Sequence, residues 1–215
     1  MTRDEIVKND LVSEIRTFSD IDNQELNLDF FIKKHNMRFY PQLSVPTEFS
    51  DCNKVQLTKY FKKVVTHAKA ILEIGVHRNG GDSSTWCFLN YKNKDTFYFG
   101  IDIVDKSFLD DKENNIYTMQ ENSSNTEKIM NFVRSTGVEK FDFIFIDGYH
   151  SINQVLDDWK FTEYLAEGGI VGFHDTNMHT GSMLFVDHLN PEKYNIEKCC
   201  KTWMLDWGIS FVSKK

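Results

Sequence analysis

Short, nearly continuous apolar runs alternate with amphipathic segments from residue 70 onward. The runs read AILEIG, TFYFGIDIV, IYTMQ, FDFIFID and GGIVGFHD. Runs of this kind are typical of strands buried on both faces, and segments with helical character separate them at 83–89, 126–134 and 152–166. Strands that alternate with helices predict a parallel sheet with helices packed on both faces.

The carboxyl-terminal part of the chain departs from this alternation. YNIEKCC and WGISFVSK predict two further strands, and the segment between them is too short for a crossover helix. An antiparallel hairpin is therefore expected at one edge of the sheet.

The amino-terminal part lacks strand character. Residues 28–35 have helical spacing before two prolines break the pattern, and residues 56–70 form a second amphipathic pattern. We expect a helical cap over residues 1–54 and one doubly wound α/β domain over residues 55–215.

Composition and charge limit what the chain can bind. Its 215 residues are 40% hydrophobic and include 18 Phe, which is enough for one sizeable core. The net charge of −7 argues against general nucleic-acid binding, which needs a basic face. No apolar run approaches the roughly 18 residues that span a bilayer, and no signal-peptide pattern is visible. We expect a cytoplasmic protein with no nucleic-acid or membrane partner; the sequence is compatible with a homo-oligomer.

Four cysteines, at positions 52, 87, 199 and 200, match no zinc-site spacing. The adjacent pair cannot easily form a disulfide with itself. We therefore expect reduced thiols, as in most cytoplasmic proteins.

Polar groups end each of the five strands predicted for the parallel sheet. They are Glu73 and Gly75, Asp102, the turn at 121–123, Asp147 with His150, and His174 with Asp175. Ligands of doubly wound sheets bind at the carboxyl ends of strands, near the point where the strand order reverses. A core strand needs a turn at its end, but it does not need a histidine and a second acid nearby. The strand ends therefore predict a ligand site.

The first of these strand ends leads into the glycine-rich loop ILEIGVHRNGGDSS. Glycines let the backbone approach a ligand closely and leave N–H groups free at the next helix start, although a simple turn is an alternative. The loop has neither the GxGxxG nor the P-loop pattern. Asp102, at the end of the second strand, can accept hydrogen bonds from both hydroxyls of a ribose.

These segments together resemble the class I S-adenosylmethionine-dependent methyltransferases. The resemblance covers about residues 55–180 and rests on ILEIGVHRNGGDSS, FGIDIVD, FDFIFIDGYHSINQVLDDW and LAEGGIVGFHDT. Within that class the chain is most similar to small-molecule and sugar O-methyltransferases, including cephalosporin hydroxylase-like and methyltransferase family 24-like proteins. The resemblance implies a Rossmann-like, seven-stranded, mostly parallel sheet whose last strand is antiparallel.

Carried over by position, the resemblance implies a site for S-adenosylmethionine. The amino-acid end of the cofactor would be held by Glu73, Gly75, Gly80, Gly81 and Ser83. Asp102 would bind the ribose hydroxyls, and Ser123 would lie near the adenine. His77, Ile103 and Asp147 complete the implied set of cofactor-binding residues. Because GVHRNGG replaces the usual glycine pattern, the residues that hold the methionine carboxylate stay open.

The resemblance also implies a divalent metal. In metal-dependent relatives such as catechol O-methyltransferase, acids at the positions of Asp147 and Asp175 bind Mg²⁺. The residue three positions after the first acid is the general base, here His150. His174 stands where some relatives have a further acidic ligand. The implied catalytic residues are thus Asp147 and His150, and the implied metal ligands are Asp147, His174 and Asp175.

Several of these residues also fit purely structural roles. His150 suits a cap of the helix that follows Ser151, Asp175 suits a turn, and His174 suits a buried, hydrogen-bonded histidine. Four other residues are assigned to surface or helix positions: His179, His188, Asp157 and Asp158.

The expected function is transfer of a methyl group from S-adenosylmethionine to a hydroxyl of a small molecule or sugar, with Mg²⁺. A metal-independent enzyme of the same fold, with His150 alone as base, is one alternative. A non-catalytic S-adenosylmethionine-binding accessory protein is another. A nicotinamide-dependent oxidoreductase is disfavoured because the loop lacks the dinucleotide pattern.

Overall fold

The computed structural model describes residues 1–12, 49–76, 83–177, 179–200 and 206–215. In these ranges the α-helices are α1 (Arg3–Asn9), α2 (Asp51–Val65), α3 (Ser84–Tyr91), α4 (Thr126–Arg134), α5 (Ile152–Trp159) and α6 (Thr180–His188). The strands are β1 (Ala70–Ile74), β2 (Phe97–Asp102), β3 (Ile116–Gln120), β4 (Phe141–Ile146), β5 (Leu165–His174), β6 (Tyr194–Cys199) and β7 (Ile209–Lys214). Short 3₁₀ helices occupy Ser107–Leu109, Lys112–Asn114 and Lys160–Tyr164.

The described strands form one seven-stranded sheet in the order β3-β2-β1-β4-β5-β7-β6. Strands β1 to β5 pair in parallel, whereas β7 runs antiparallel to both β5 and β6. The strand order reverses between β1 and β4. The predicted fold class, with its closing antiparallel hairpin, is confirmed.

Apolar side chains cover both faces of the sheet, as the continuous apolar strands predict. One face packs against α1, α4, α5 and α6, with Trp159, Phe173 and Phe185 among its buried residues. The other face packs against α2 and α3 through Phe61, Phe88 and further aromatic side chains. Burial on both faces leaves the strand ends as the place where polar side chains can gather.

Helices α2 and α5 have boundaries that differ from the predicted ones. Helix α2 begins at Asp51 rather than at residue 56, because the Ser50 hydroxyl accepts a hydrogen bond from the Asn53 N–H and caps the helix earlier. Helix α5 ends at Trp159, and the chain continues as the 3₁₀ turn Lys160–Tyr164. The proposed cap boundary at residue 54 falls inside α2 and stays a prediction, and the helix predicted at 28–35 lies outside the described residues.

The expectation of four reduced cysteines is wrong for two of them. Cys52, in the first turn of α2, forms a disulfide with Cys200, which follows β6. The two cysteines are 148 residues apart in sequence, so local spacing carries no sign of the pair. Cys87 and Cys199 are not disulfide-bonded. Because disulfides are typical of oxidising compartments, the cytoplasmic location stays a prediction.

Within the described parts of the chain, none of the helices has the length and apolar character needed to cross a bilayer.

Candidate active site at the carboxyl ends of the strands

The carboxyl ends of β1 and β4 meet where the strand order reverses. The Asp147 N–H donates to the carbonyl oxygen of Ile74 at 2.8 Å. Gly75 has a φ of +85°, and a Cβ atom there would lie 2.0 Å from the backbone oxygen of Asp147. Only glycine therefore permits this close contact, which places Asp147 beside the start of the glycine-rich loop.

Asp102 lies on the neighbouring strand end, facing the same loop. Its Oδ2 accepts from the Val76 N–H at 2.9 Å and its Oδ1 from the Val104 N–H at 2.8 Å. The carboxylate retains 15% side-chain exposure, so a ligand hydroxyl can reach its remaining lone pairs. Ile103, the next residue, is 71% exposed. An acid followed by an exposed apolar side chain suits a ribose and the flat face of a base.

Glu73 is more deeply buried than the other predicted cofactor residues. Its side chain is 0% exposed and accepts hydrogen bonds from the hydroxyls of Ser84, Thr85 and Tyr98. Burial raises the pKa of its carboxyl group to about 7, although the three hydroxyls act in the opposite direction. In this arrangement Glu73 links β1 to α3 and β2. Its predicted contact with the cofactor stays a prediction.

The other predicted residues of the first loop are divided between described and undescribed parts. Ser83 precedes α3, and its buried hydroxyl has no hydrogen-bond partner among the described residues. His77, Gly80 and Gly81 lie outside the described residues.

Ser123 belongs to a buried polar group beneath the third strand end. Gln154 donates to the Ser123 hydroxyl at 2.8 Å and to Asp158 Oδ1 at 2.9 Å. Asp158 is 0% exposed, and burial raises the pKa of its carboxyl group to about 7. Its Oδ2 is buried without a hydrogen-bond partner among the described residues.

Asp157 and Asp158, assigned to surface or helix positions, are helix residues, but neither is exposed at the surface. Both lie on the inward side of α5, where Asp157 is 3% exposed. Asp157 accepts hydrogen bonds from Arg3 at 2.9 and 2.5 Å and from Lys160 at 2.6 Å. These partners come from α1 and the next turn, so the sequence of α5 alone does not reveal them.

Asp147, His174 and Asp175 come together because β4 and β5 are neighbours. Ile146 pairs with Phe173 in the parallel ladder, so the residues that follow each of them lie side by side. His174 Nδ1 is 2.9 Å from Asp147 Oδ1 and 3.0 Å from Asp175 Oδ1. Two carboxylate oxygens and one ring nitrogen, one atom from each residue, lie within 4.8 Å of one another, and this spacing can hold a metal ion.

His150 completes this group, which we call the acid–histidine cluster (Asp147, His150, His174 and Asp175). His150 Nε2 lies 2.7 Å from Asp175 Oδ2, and its Nδ1 is 3.3 Å from the Ser182 hydroxyl on α6. Ser151, not His150, caps α5 by accepting a hydrogen bond from the Gln154 N–H. The side chain of His150 is therefore directed into the cluster rather than onto the helix end.

Charges inside the cluster shift the pKa values of its members. Burial lowers the pKa of His174, but the charges of Asp147 and Asp175 outweigh it and hold that pKa well above its usual range. Burial likewise lowers the pKa of His150, and the hydrogen bond and charge of Asp175 reverse the shift. Burial raises the pKa of Asp175, whereas the two histidines bring it well below its usual range. The cluster is thus internally charge-paired.

Two residues next to the cluster were not predicted as site residues. His179, assigned to a surface or helix position, stacks on His150 with ring centroids 4.5 Å apart, and its Nε2 lies 3.7 Å from Asp175 Oδ2. Burial lowers its pKa, although its side chain is 42% exposed. Asn53 of α2 lies 3.1 Å from His174 Nε2. The HDTNMH spacing could have suggested His179, but no sequence signal links Asn53 to a histidine 121 residues away.

Residues 72–176, just under half of the chain, match the family model described as a methyltransferase domain. This confirms the resemblance to S-adenosylmethionine-dependent methyltransferases. No curated protein sequence matches the chain significantly.

Solved structures with the same fold include three methyltransferases. MycE, from the mycinamycin biosynthetic pathway and solved with Mg and S-adenosylhomocysteine, is 15% identical with a TM-score of 0.56, over 87% of this chain and 54% of MycE. The O-methyltransferase TomG from Streptomyces achromogenes is 15% identical with a TM-score of 0.52, over 86% of each chain. CalS11, a TDP-rhamnose 3′-O-methyltransferase, is 13% identical with a TM-score of 0.52, over 91% of this chain and 90% of CalS11.

The present chain thus spans about half the length of MycE. At these identities the likeness establishes a common fold. The family match adds a methyltransferase domain over residues 72–176.

Proposed function

We propose that this chain methylates a hydroxyl oxygen of a small molecule or sugar. The premise of the proposal is that residues 72–176 match a methyltransferase domain on the class I fold. S-adenosylmethionine would donate the methyl group, and a divalent cation would assist. The observation that carries the proposal is the acid–histidine cluster, which lies at the strand ends and is separated from Asp102 by β1 alone.

The residues around the first three strand ends would hold the cofactor. Asp102 has free lone pairs and partial exposure for the ribose hydroxyls, and the exposed side chain of Ile103 offers an apolar surface for the adenine. Ser123 lies on the same side but is 8% exposed, so we expect it to act through its network with Gln154. The predicted roles of Gly75, His77, Gly80, Gly81 and Ser83 at the amino-acid end remain part of this proposal.

The cluster fits a divalent cation in its donor chemistry. Asp147 and Asp175 offer carboxylate oxygens and His174 offers a ring nitrogen, and Asp147 keeps 22% side-chain exposure. A cation bound there would lower the pKa of an acceptor hydroxyl and fix the position of its oxygen. The protein's own contribution is to gather the two carboxylates, which neighbouring strands hold in register.

His150 would accept the proton that the acceptor hydroxyl loses. Its Nε2 is held by Asp175, which fixes the ring and stabilises the protonated form. Its Nδ1, 3.3 Å from the Ser182 hydroxyl, is the nitrogen left for proton transfer. The deprotonated oxygen would be the nucleophile for the methyl group that S-adenosylmethionine supplies when bound, with S-adenosylhomocysteine as the leaving group.

Two of the structural neighbours support an oxygen acceptor on a small molecule. TomG is an O-methyltransferase involved in tomaymycin synthesis, and CalS11 is a TDP-rhamnose 3′-O-methyltransferase. Both match nearly the whole of their own length, whereas MycE matches over about half. We therefore propose a hydroxylated small molecule, including a sugar, as the acceptor class.

Metal-independent methyl transfer is the second candidate. The ion pair between His150 and Asp175 is already complete without a cation, and such a pair can act as base and orienting acid. This reaction would keep the same cofactor residues and the same proton acceptor.

A panel of hydroxylated small molecules and nucleotide sugars tests the proposal. S-adenosylhomocysteine release is measured with Mg²⁺ or Mn²⁺ and then with EDTA. We expect turnover that EDTA abolishes and that His150→Gln lowers by about 10²- to 10⁴-fold. His67→Gln, which changes an exposed histidine on the turn after α2, is the matched control. Turnover that survives EDTA would favour the second candidate, and normal turnover by His150→Gln would exclude His150 as the base.

A further inference from the structure

Asn53 connects the amino-terminal helix α2 to the candidate metal site. Its side chain is 0% exposed, and its Nδ2 lies 3.1 Å from Nε2 of His174. Its Oδ1 is also buried and has no hydrogen-bond partner among the described residues. A buried amide oxygen without a hydrogen bond lowers the stability of the folded state. Such an atom is therefore expected to form a hydrogen bond in a second arrangement of the same side chains.

The opposite edge of the His174 ring faces the two acids. Nδ1 is 2.9 Å from Asp147 Oδ1 and 3.0 Å from Asp175 Oδ1. Without a cation, Nδ1 carries a proton shared with Asp147, and Nε2 faces the Asn53 amide. A cation between the acids would need the Nδ1 lone pair instead, so the ring proton would have to lie on Nε2.

The Asn53 amide can serve both arrangements. If it rotates by half a turn, Oδ1 takes the place of Nδ2 and accepts a hydrogen bond from the Nε2–H of His174. Histidines that bind metals generally donate their other N–H to a fixed acceptor in this way. Asn53 is thus built to act on the histidine and not on the cation itself.

We propose that Asn53 is a positioning residue that presents Nδ1 of His174 as a nitrogen ligand, and that the site consequently prefers Mn²⁺ to Mg²⁺. This inference rests on the cation in the proposed function and names the kind of cation. Mg²⁺ favours oxygen ligands and retained waters, whereas first-row transition ions bind imidazole more readily. Mn²⁺ accepts oxygen and nitrogen ligands together, which matches two carboxylates and one imidazole.

Three contacts hold Asn53 in place for this role. Its N–H donates to the Ser50 hydroxyl at 3.1 Å, and that hydroxyl donates to Asp206 Oδ2 at 2.5 Å. The preceding residue, Cys52, is bonded to Cys200. The start of α2 is therefore anchored to the end of β6 and to the segment before β7, on both sides of the amide.

Cation affinity of the full-length protein tests the proposal. The protein is stripped with EDTA and dialysed, and Mn²⁺ and Mg²⁺ are titrated separately by calorimetry, with the Mn²⁺ signal followed also by electron paramagnetic resonance. We expect the wild type to bind Mn²⁺ more tightly than Mg²⁺. Asn53→Leu, which keeps the size but offers no acceptor, should lose Mn²⁺ affinity by about 10- to 100-fold. Its Mg²⁺ affinity should change little, because Mg²⁺ depends on the carboxylates.

Asn53→Asp is the matched variant. It keeps the shape and can only accept, so it should retain the wild-type preference for Mn²⁺. Equal losses of Mn²⁺ and Mg²⁺ affinity in Asn53→Leu would show a merely structural role and would overturn the proposal. A wild type that prefers Mg²⁺ would overturn it as well.

Two further readouts keep the test decisive. If Asn53→Leu does not fold, ¹⁵N spectra of His174 in the wild type, recorded with the diamagnetic ion Zn²⁺, replace the variant. We expect the ring proton on Nε2 in the Zn²⁺-bound state. A proton that stays on Nδ1 would contradict the proposal. S-adenosylhomocysteine is titrated in parallel. Cofactor binding with no binding of either cation would remove the cation from the proposed function, whereas Mn²⁺ binding unchanged in Asn53→Leu would overturn this inference alone.

Discussion

His150 Nε2 and Asp175 Oδ2 lie 2.7 Å apart and form an ion pair between the turn after β4 and the end of β5. Both side chains are largely buried, with 13% and 7% of their surface exposed. Asp175 adopts a φ of +61°, a left-handed conformation that a non-glycine residue seldom adopts. Strained backbone of this kind is typical of functional sites, and here it directs the acid at two histidines.

Asp175 controls the proton affinity of His150. In Asp175→Asn the favourable charge and the charged hydrogen bond are lost while burial remains, so the pKa of His150 should fall from above its usual value to below it. NMR titration of the His150 ring in EDTA-treated protein measures the shift. Asp187→Asn, which changes an acid on α6 that is paired with Lys198, is the control. An unchanged His150 pKa in Asp175→Asn would show that the ion pair does not form.

Glu73 should make the protein less stable as the pH rises. The folded state keeps a proton on Glu73 up to a pKa of about 7, whereas the unfolded chain releases it near 4.5. Between these values the folded state binds more protons, so the free energy of unfolding falls with rising pH. Glu73→Gln removes this titration. Its free energy of unfolding relative to that of the wild type should therefore increase by about 3 kcal/mol as the pH rises from about 4.5 to 8.

Urea unfolding at both pH values measures this difference between the Glu73 variant and the wild type. Glu167→Gln, an exposed change on β5, should show no such pH-dependent gain. If Glu73→Gln differs from the wild type by the same amount at both pH values, folding does not raise the pKa of Glu73.

The Cys52–Cys200 disulfide should stabilise the fold. Cys200→Ser removes a cross-link that spans 148 residues, and we expect a loss of about 2–4 kcal/mol in the free energy of unfolding. Cys87→Ser, at a cysteine that is not disulfide-bonded, is the control. Thiol titration in denaturant without reductant gives a second readout. Two reactive thiols, Cys87 and Cys199, are expected, and four would mean that the disulfide is absent.

The strands were predictable because they are buried on both faces and read as continuous apolar runs. Ile116–Gln120 and Phe141–Ile146 match the predicted strands to within one residue. The rule that ligands bind at the carboxyl ends of parallel strands also predicts, from the sequence alone, that Asp147 and Asp175 share one site.

The rest of the site depends on contacts between distant segments. Asn53 reaches His174 across 121 residues, and Cys52 reaches Cys200 across 148. Asp157 and Asp158 follow the helical pattern of α5 as ordinary polar residues, yet both are buried because Arg3 and Gln154 supply their partners. Hydrophobic periodicity indicates which face of a helix is apolar. It does not indicate a polar face that is buried because another segment supplies its hydrogen-bond partners.

Cofactor binding tests the central claim most directly. S-adenosylhomocysteine is titrated by calorimetry into the wild type, Asp102→Asn and Asp105→Asn. Asp105 is an exposed acid three residues further along the chain and serves as the matched control. We expect the wild type and Asp105→Asn to bind alike, and Asp102→Asn to bind about 10- to 100-fold more weakly because it loses charged hydrogen bonds to the ribose. No binding to the wild type, with or without EDTA, would contradict the proposal that this chain is an S-adenosylmethionine-dependent methyltransferase.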